Sequence, residues 1–107
     1  MGEYGVMTTT LPGQEDARRM ARLLVEEKLA ACVQLLPIES FYRWEGQVQN
    51  DAEVLLLIKT RTALFDAAID RIKADHPYSV PQIVGWPLSA GHSPYLDWIG
   101  ESTLPSA

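Results

Sequence analysis

Ile38-Glu39-Ser40-Phe41-Tyr42-Arg43-Trp44-Glu45-Gly46-Gln47-Val48-Gln49-Asn50-Asp51-Ala52-Glu53-Val54-Leu55-Leu56-Leu57-Ile58 is the stretch that decides the fold. Its first part alternates. Ile38, Ser40, Tyr42 and Trp44 fall on one face, and Glu39, Phe41, Arg43 and Glu45 on the other. A period of two belongs to a β-strand. Glu45-Gly46 supplies the centre of a hairpin turn, with Gly taking a positive φ. Asn50-Asp51 is a rival turn, or a bulge in the returning strand. Val54 to Ile58 is apolar without alternation, as in a strand buried on both faces. The stretch therefore reads as a hairpin whose second strand enters the core.

On the N-terminal side, Tyr4 to Thr10 is β-prone and ends at the turn signal Leu11-Pro12-Gly13. Ala17, Met20, Ala21, Leu24, Val25 and Leu29 then follow helical spacing, which predicts a helix over about 13–30. Cys32 to Leu36 is a short apolar run that Pro37 interrupts, so that strand belongs at an edge or a bulge. On the C-terminal side, Thr62 is a candidate N-cap, and Leu64, Phe65, Ala68, Ile69 and Ile72 form an apolar stripe. Pro77 stops this second helix near His76. Val80 to Leu88 holds a fourth strand, and Ala90-Gly91-His92 is a loop. Ser93-Pro94 opens a short helix to Glu101, with Ser93 as N-cap. Tyr95, Trp98 and Ile99 share one side of it, and 102–107 is a tail.

The order β-α-β-β-α-β plus a terminal helix is that of an α+β, ferredoxin-like domain. Both main helices then cover one face of an antiparallel sheet. The other face keeps part of Val54–Ile58 and the hairpin aromatics, an apolar surface too large to leave in water. Self-association follows. With 107 residues, the expectation is a single domain over 1–107, with its core at about 4–101.

Composition removes several function classes. The net charge of −5 and the lack of a basic cluster beyond Arg18-Arg19-x-x-Arg22 exclude nucleic acid as a partner. Cys32 is the only cysteine, so this is no disulfide scaffold. No run reaches the length of a membrane span, and Met1 to Tyr4 lacks the features of a signal peptide. No membrane and a cytoplasmic location are the resulting expectations. No Gly-rich phosphate loop is present. Cys32, His76 and Asp75 are the sole conceivable triad, without a local activation signature, so an enzyme is not expected.

Six motifs in register resemble the CutA family of divalent-cation tolerance proteins. They are Glu27-Lys28-Leu29-Ala30-Ala31-Cys32-Val33, Tyr42-Arg43-Trp44-Glu45-Gly46, Glu53 to Thr60, His76-Pro77-Tyr78, Val80-Pro81-Gln82-Ile83 and Tyr95-Leu96-Asp97-Trp98-Ile99. The resemblance spans about Val6 to Glu101. It implies a ferredoxin-like subunit with an extended hairpin, in a homotrimer built like the PII-like signalling proteins. It also implies a link to copper tolerance, by metal binding or sequestration and not by catalysis. The alternative is a PII-like signalling or scaffold trimer that binds a small ligand, or an unknown protein partner, with the ligand in the cleft between subunits.

Two groups of residues carry these readings. The metal group is His76, Asp75 and Cys32. Imidazole and carboxylate oxygen suit Cu(II), and a ligand near a threefold axis is presented three times. Thr9 stands where some bacterial members carry cysteine, Asp75 where some carry a second histidine, and Gln82 where the acid is usual. A weakly bound Cu(II) or other divalent cation is therefore expected. The second group is Trp44, Glu45, Lys59, Tyr78, Gln82 and Trp98, as an interface or an inter-subunit cleft for a small ligand. Lys59 ends a buried strand, where a charge needs a partner.

Overall fold

The computed structural model describes residues 2–105. Met1, Ser106 and Ala107 lie outside the described residues, and with them the end of the expected tail. The elements run β1 (Tyr4–Leu11), α1 (Gln14–Glu26), β2 (Cys32–Trp44), β3 (Gln47–Arg61), α2 (Phe65–Asp75), β4 (Ile83–Pro87) and α3 (Ser93–Glu101). A 3₁₀ turn, Thr62–Leu64, precedes α2. The four strands form one antiparallel sheet in the order β2-β3-β1-β4.

Register assigns the two faces. Met7, Thr9 and Leu11 of β1 stand opposite Ile58, Leu56 and Val54 of β3. All six are buried, and the five apolar ones, with Met20 and Leu24 of α1 and Ala68 and Ile72 of α2, form the core. Val6, Thr8 and Thr10 stand opposite Lys59, Leu57 and Leu55 on the second face. The sequence reading left that face uncovered within one chain; in the structure α3 covers its Lys59 end. Ile99 is fully buried, the Lys59 ammonium lies 5.5 Å from the centre of the Tyr95 ring, and Arg61 Nε donates to Thr103 Oγ1 at 3.1 Å. Leu36, Val84 and Trp86 stay exposed on the rest.

Several boundaries differ from the sequence reading. Helix α1 stops at Glu26 because Lys28 takes a φ of 60°, and the N–H groups of Leu29 and Ala30 both turn back to the Leu24 carbonyl. Strand β2 runs unbroken through Pro37, which an edge strand tolerates. Thr62 does not cap α2; its hydroxyl donates to the Gly2 carbonyl instead. His92 takes the N-cap position of α3, and Ser93 is its first helical residue. Thr103, in the expected tail, is buried, and its hydroxyl donates to the Ile99 carbonyl at 2.9 Å.

The hairpin turn is Glu45-Gly46, with φ of 51° and 78°. Two positive φ values suit the primed hairpin turn, where Asn is the preferred first residue. Glu45→Asn is expected to raise stability by about 0.5–1 kcal/mol, read as a higher urea midpoint at unchanged slope.

Candidate functional site

Strand β3 pairs with β1 only over Val54–Arg61. The hairpin of β2 and β3 continues past that point, so residues 38–53 overhang the sheet as a two-stranded ribbon. Beside this overhang lies an open groove of about 800 Å³. One wall is the ribbon, with Ser40, Phe41, Tyr42 and Trp44. The facing wall is the segment between α2 and β4, with Tyr78, Val80 and Gln82. Phe41 is 69% exposed, Val80 71% and Trp44 47%.

Carboxylates in this region are held by neighbouring side chains. The Tyr78 hydroxyl donates to Glu53 Oε2 at 2.7 Å. Burial raises the Tyr78 pKa well above its ordinary value, and the bond to Glu53 raises it further. Tyr42 donates to Asp51 Oδ2 at 2.5 Å, and that bond is the main reason its phenol also sits above its usual value. Asn50 Nδ2 donates to Glu39 Oε2 at 3.2 Å and to the Ser40 carbonyl at 3.1 Å. Gln82 Nε2 donates to Thr8 Oγ1 at 3.3 Å.

His76 sits at the end of α2 with both ring nitrogens engaged. Nε2 lies 2.8 Å from the Thr10 carbonyl, and Nδ1 accepts the Tyr78 backbone N–H at 3.1 Å. With Nδ1 as acceptor, the neutral ring carries its proton on Nε2 and donates to Thr10. Burial lowers the His76 pKa, against the opposing influence of the Thr10 carbonyl, Asp16 and Glu53.

The expected metal group is not gathered in one chain. His76 has no free ring lone pair in this arrangement. The Asp75 carboxylate accepts from Arg71 Nη1 at 2.8 Å, and Arg71 also binds Glu27 at 2.9 Å. Cys32 is half-buried and stands opposite Lys59, four residues along β3 from the Leu55 that faces Thr10. That separation is about 13 Å at strand spacing. Among the described residues no group of three or more His, Cys, Asp or Glu side chains is placed to hold a metal ion.

The second group divides. Trp44, Tyr78 and Gln82 meet at the groove. Glu45 stands exposed at the hairpin turn, far along β3 from Lys59, and Trp98 lies on α3 with its ring 5.5 Å from that of Tyr95. Glu53 was not singled out from the sequence. Its signal was positional: it shares the second face with Leu55 and Leu57, where an acid needs a donor. Among the described residues no helix is long and apolar enough to cross a membrane.

Comparison with known proteins is consistent over nearly the whole chain. The family described as CutA1 divalent ion tolerance protein matches residues 5–102. The chain is 50% identical over 99 residues to the divalent-cation tolerance protein CutA of Thermus thermophilus, covering 92% of this chain and 96% of that one. It is 48% identical over 102 residues to protein CutA 1, chloroplastic, of Oryza sativa, covering 94% of this chain and 58% of that protein. A solved structure described as the periplasmic divalent cation tolerance protein CutA of Archaeoglobus fulgidus superposes with a TM-score of 0.91 at 40% identity, covering 92% of this chain and 97% of that chain.

Proposed function

Because the chain belongs to the CutA1 divalent ion tolerance family, we propose that it serves divalent-cation tolerance as a homotrimer that binds its ligand and does not turn it over. The overhanging ribbon carries this reading. An isolated two-stranded hairpin is marginal in water. Here it holds Phe41, Tyr42, Trp44 and Val48 exposed, with Val48 at 66%. Packing against further copies covers these side chains and closes the adjoining groove into an inter-subunit cleft.

The cation in this reading is Cu(II), weakly held by donors from more than one chain, since one chain does not assemble them. A closed threefold assembly presents each donor three times. The usual affinity order places Cu(II) above Ni(II) and Zn(II). The free thiol of Cys32 fits a reducing compartment such as the cytoplasm.

Calorimetry with the three metal chlorides tests it, on the intact assembly and on a sample diluted until sedimentation shows single chains. Weak Cu(II) uptake by the assembly and its loss on dissociation are expected. Absence of Cu(II) heat on the intact assembly eliminates the cation; equal uptake by dissociated chains eliminates shared donors. The groove supports a second reading, a PII-like signalling or scaffold trimer. Its volume of about 800 Å³ is within the range of small-molecule sites.

A further inference from the structure

The groove between the ribbon and the segment joining α2 to β4 carries one sign of charge. Glu39 and Glu53 line it, together with Phe41, Tyr42, Trp44 and Tyr78. Among the described residues that line it there is no Lys, Arg or His. Lys59, the one cation in the group expected from sequence, lies instead 5.5 Å from the centre of the Tyr95 ring of α3. Arg43, at the end of the ribbon, donates to the Gly46 carbonyl at 3.3 Å. We propose that the groove binds a small organic cation, an ammonium group on an apolar body, with the ammonium against Glu53 and the body on the aromatic rings. This rests on the reading of the groove as a small-ligand site and not on the copper reading.

The acids keep both their charge and their acceptor capacity. Tyr78 donates to Glu53 Oε2 at 2.7 Å, and Tyr42 donates to Asp51 Oδ2 at 2.5 Å. Asp51 and Glu53 are two residues apart on β3 and so share a face. Both phenols sit above their ordinary pKa, Tyr42 chiefly through its bond to Asp51, Tyr78 chiefly through burial and then through Glu53. The phenols therefore stay protonated, and the negative charge stays on the acids. A carboxylate has about four acceptor sites, and one phenol uses one of them. Glu53 Oε1 remains to accept an ammonium N–H.

Other ligand classes use less of this surface. An anion would meet two carboxylates without a countercharge, in a concave site where their field is focused. A bare divalent ion needs several converging donors. Among the described residues no three His, Cys, Asp or Glu side chains converge in that way. A neutral apolar molecule would contact the rings and gain nothing from the acids. An organic cation uses both, because aromatic faces attract a positive charge and a carboxylate forms strong charge-assisted hydrogen bonds with it.

The test compares three molecules of nearly one shape: benzylammonium, benzyl alcohol and benzoate. Each is titrated into the full chain at neutral pH and constant ionic strength, and binding is read by nitrogen-15 NMR. Benzylammonium should shift the Tyr42, Glu53 and Tyr78 amides and the Trp44 indole, and should bind about tenfold more tightly than benzyl alcohol. Benzoate should bind most weakly. Glu53→Gln should weaken benzylammonium by about tenfold. Asp66→Asn removes the same charge from the exposed side of α2 and should leave benzylammonium binding as it was. Equal affinity for benzylammonium and benzyl alcohol, or tightest binding of benzoate, overturns the organic cation and leaves the small-ligand site standing. No shift of the groove residues by any of the three removes the site as well. Benzylammonium binding that survives Glu53→Gln, or that Asp66→Asn weakens equally, also overturns the proposal. Should Glu53→Gln fail to fold, the order of the three affinities in the unmodified chain decides alone.

Discussion

Trp44→Asp is expected to leave no folded assembly at micromolar concentration, if the chain forms the trimer proposed above. Trp44 ends β2 beside the hairpin turn and lines the groove, and 47% of it is exposed in a single chain. A Trp carries about 150–250 Å² of surface, so covering its exposed half removes about 100 Å² per chain from water. At about 25 cal/mol per Å², that contributes about 2–3 kcal/mol per chain, repeated in every copy. The substitution removes this term and adds an unpaired carboxylate to a covered surface, which costs more than the lost area. Sedimentation velocity and circular dichroism read the outcome. Trp44→Phe should remain trimeric, because an aromatic ring still fills the position. A Trp44→Asp protein that sediments as a trimer rules the contact out, and an unmodified chain that sediments as a folded monomer rules out the assembly.

The order of elements was legible because hydrophobic period changes along the chain. The ribbon alternates, α1 and α2 repeat at helical spacing, and Pro and Gly mark the joins. The sequence left Glu45-Gly46 and Asn50-Asp51 as rival turns; the structure turns at Glu45-Gly46, with positive φ at both residues, and keeps Asn50 and Asp51 in the paired strand. Helix α1 was read too long because Leu29 and Ala30 continue its apolar pattern. They are buried, yet in a loop that folds back after Lys28 rather than in a further helical turn. Periodicity reports burial and does not report how the backbone achieves it.

The site was less legible, for a related reason. Trp44, Tyr78 and Gln82 came from recognisable motifs and do meet at one groove. Their partners are distant in sequence. Tyr78 bonds to Glu53, and His76 bonds to Thr10 on the other side of two helices. Sequence shows that His76 is beside Asp75 and Pro77, which invites a metal reading. It does not show that both ring nitrogens are occupied by backbone groups, or that Asp75 turns to Arg71. Likewise Thr9, where the family resemblance suggested a lost metal ligand, points into the core and is fully buried.

Gly5→Ala should lower stability by about 1–3 kcal/mol, the scale of an overpacked core. Propensity alone argues for the opposite sign, since Gly inside a strand is usually weaker than Ala by about 0.5–1 kcal/mol. Geometry decides between them. Gly5 is on β1, paired with Thr60 of β3 on one side and Pro87 of β4 on the other. A Cβ there would stand 2.5 Å from Phe65 Cζ and 2.7 Å from the Trp86 carbonyl oxygen. On the neighbouring strand, a Cβ at Gly85 would stand 3.0 Å from Phe65 Cε2. The Phe65 ring, at the start of α2, thus lies against glycines of two adjacent strands and seats the helix on the sheet. Its edge can yield, but the Trp86 carbonyl is fixed by the pairing of β1 with β4. Placing Phe65→Leu in the Gly5→Ala background should therefore recover only part of the loss, because the ring contact is gone and the carbonyl contact remains. Urea titrations of the single and double variants at equal protein concentration measure both effects. A Gly5→Ala midpoint at or above that of the unmodified chain would show that strand propensity outweighs the clash, and full recovery in the double variant would place the whole clash on Phe65.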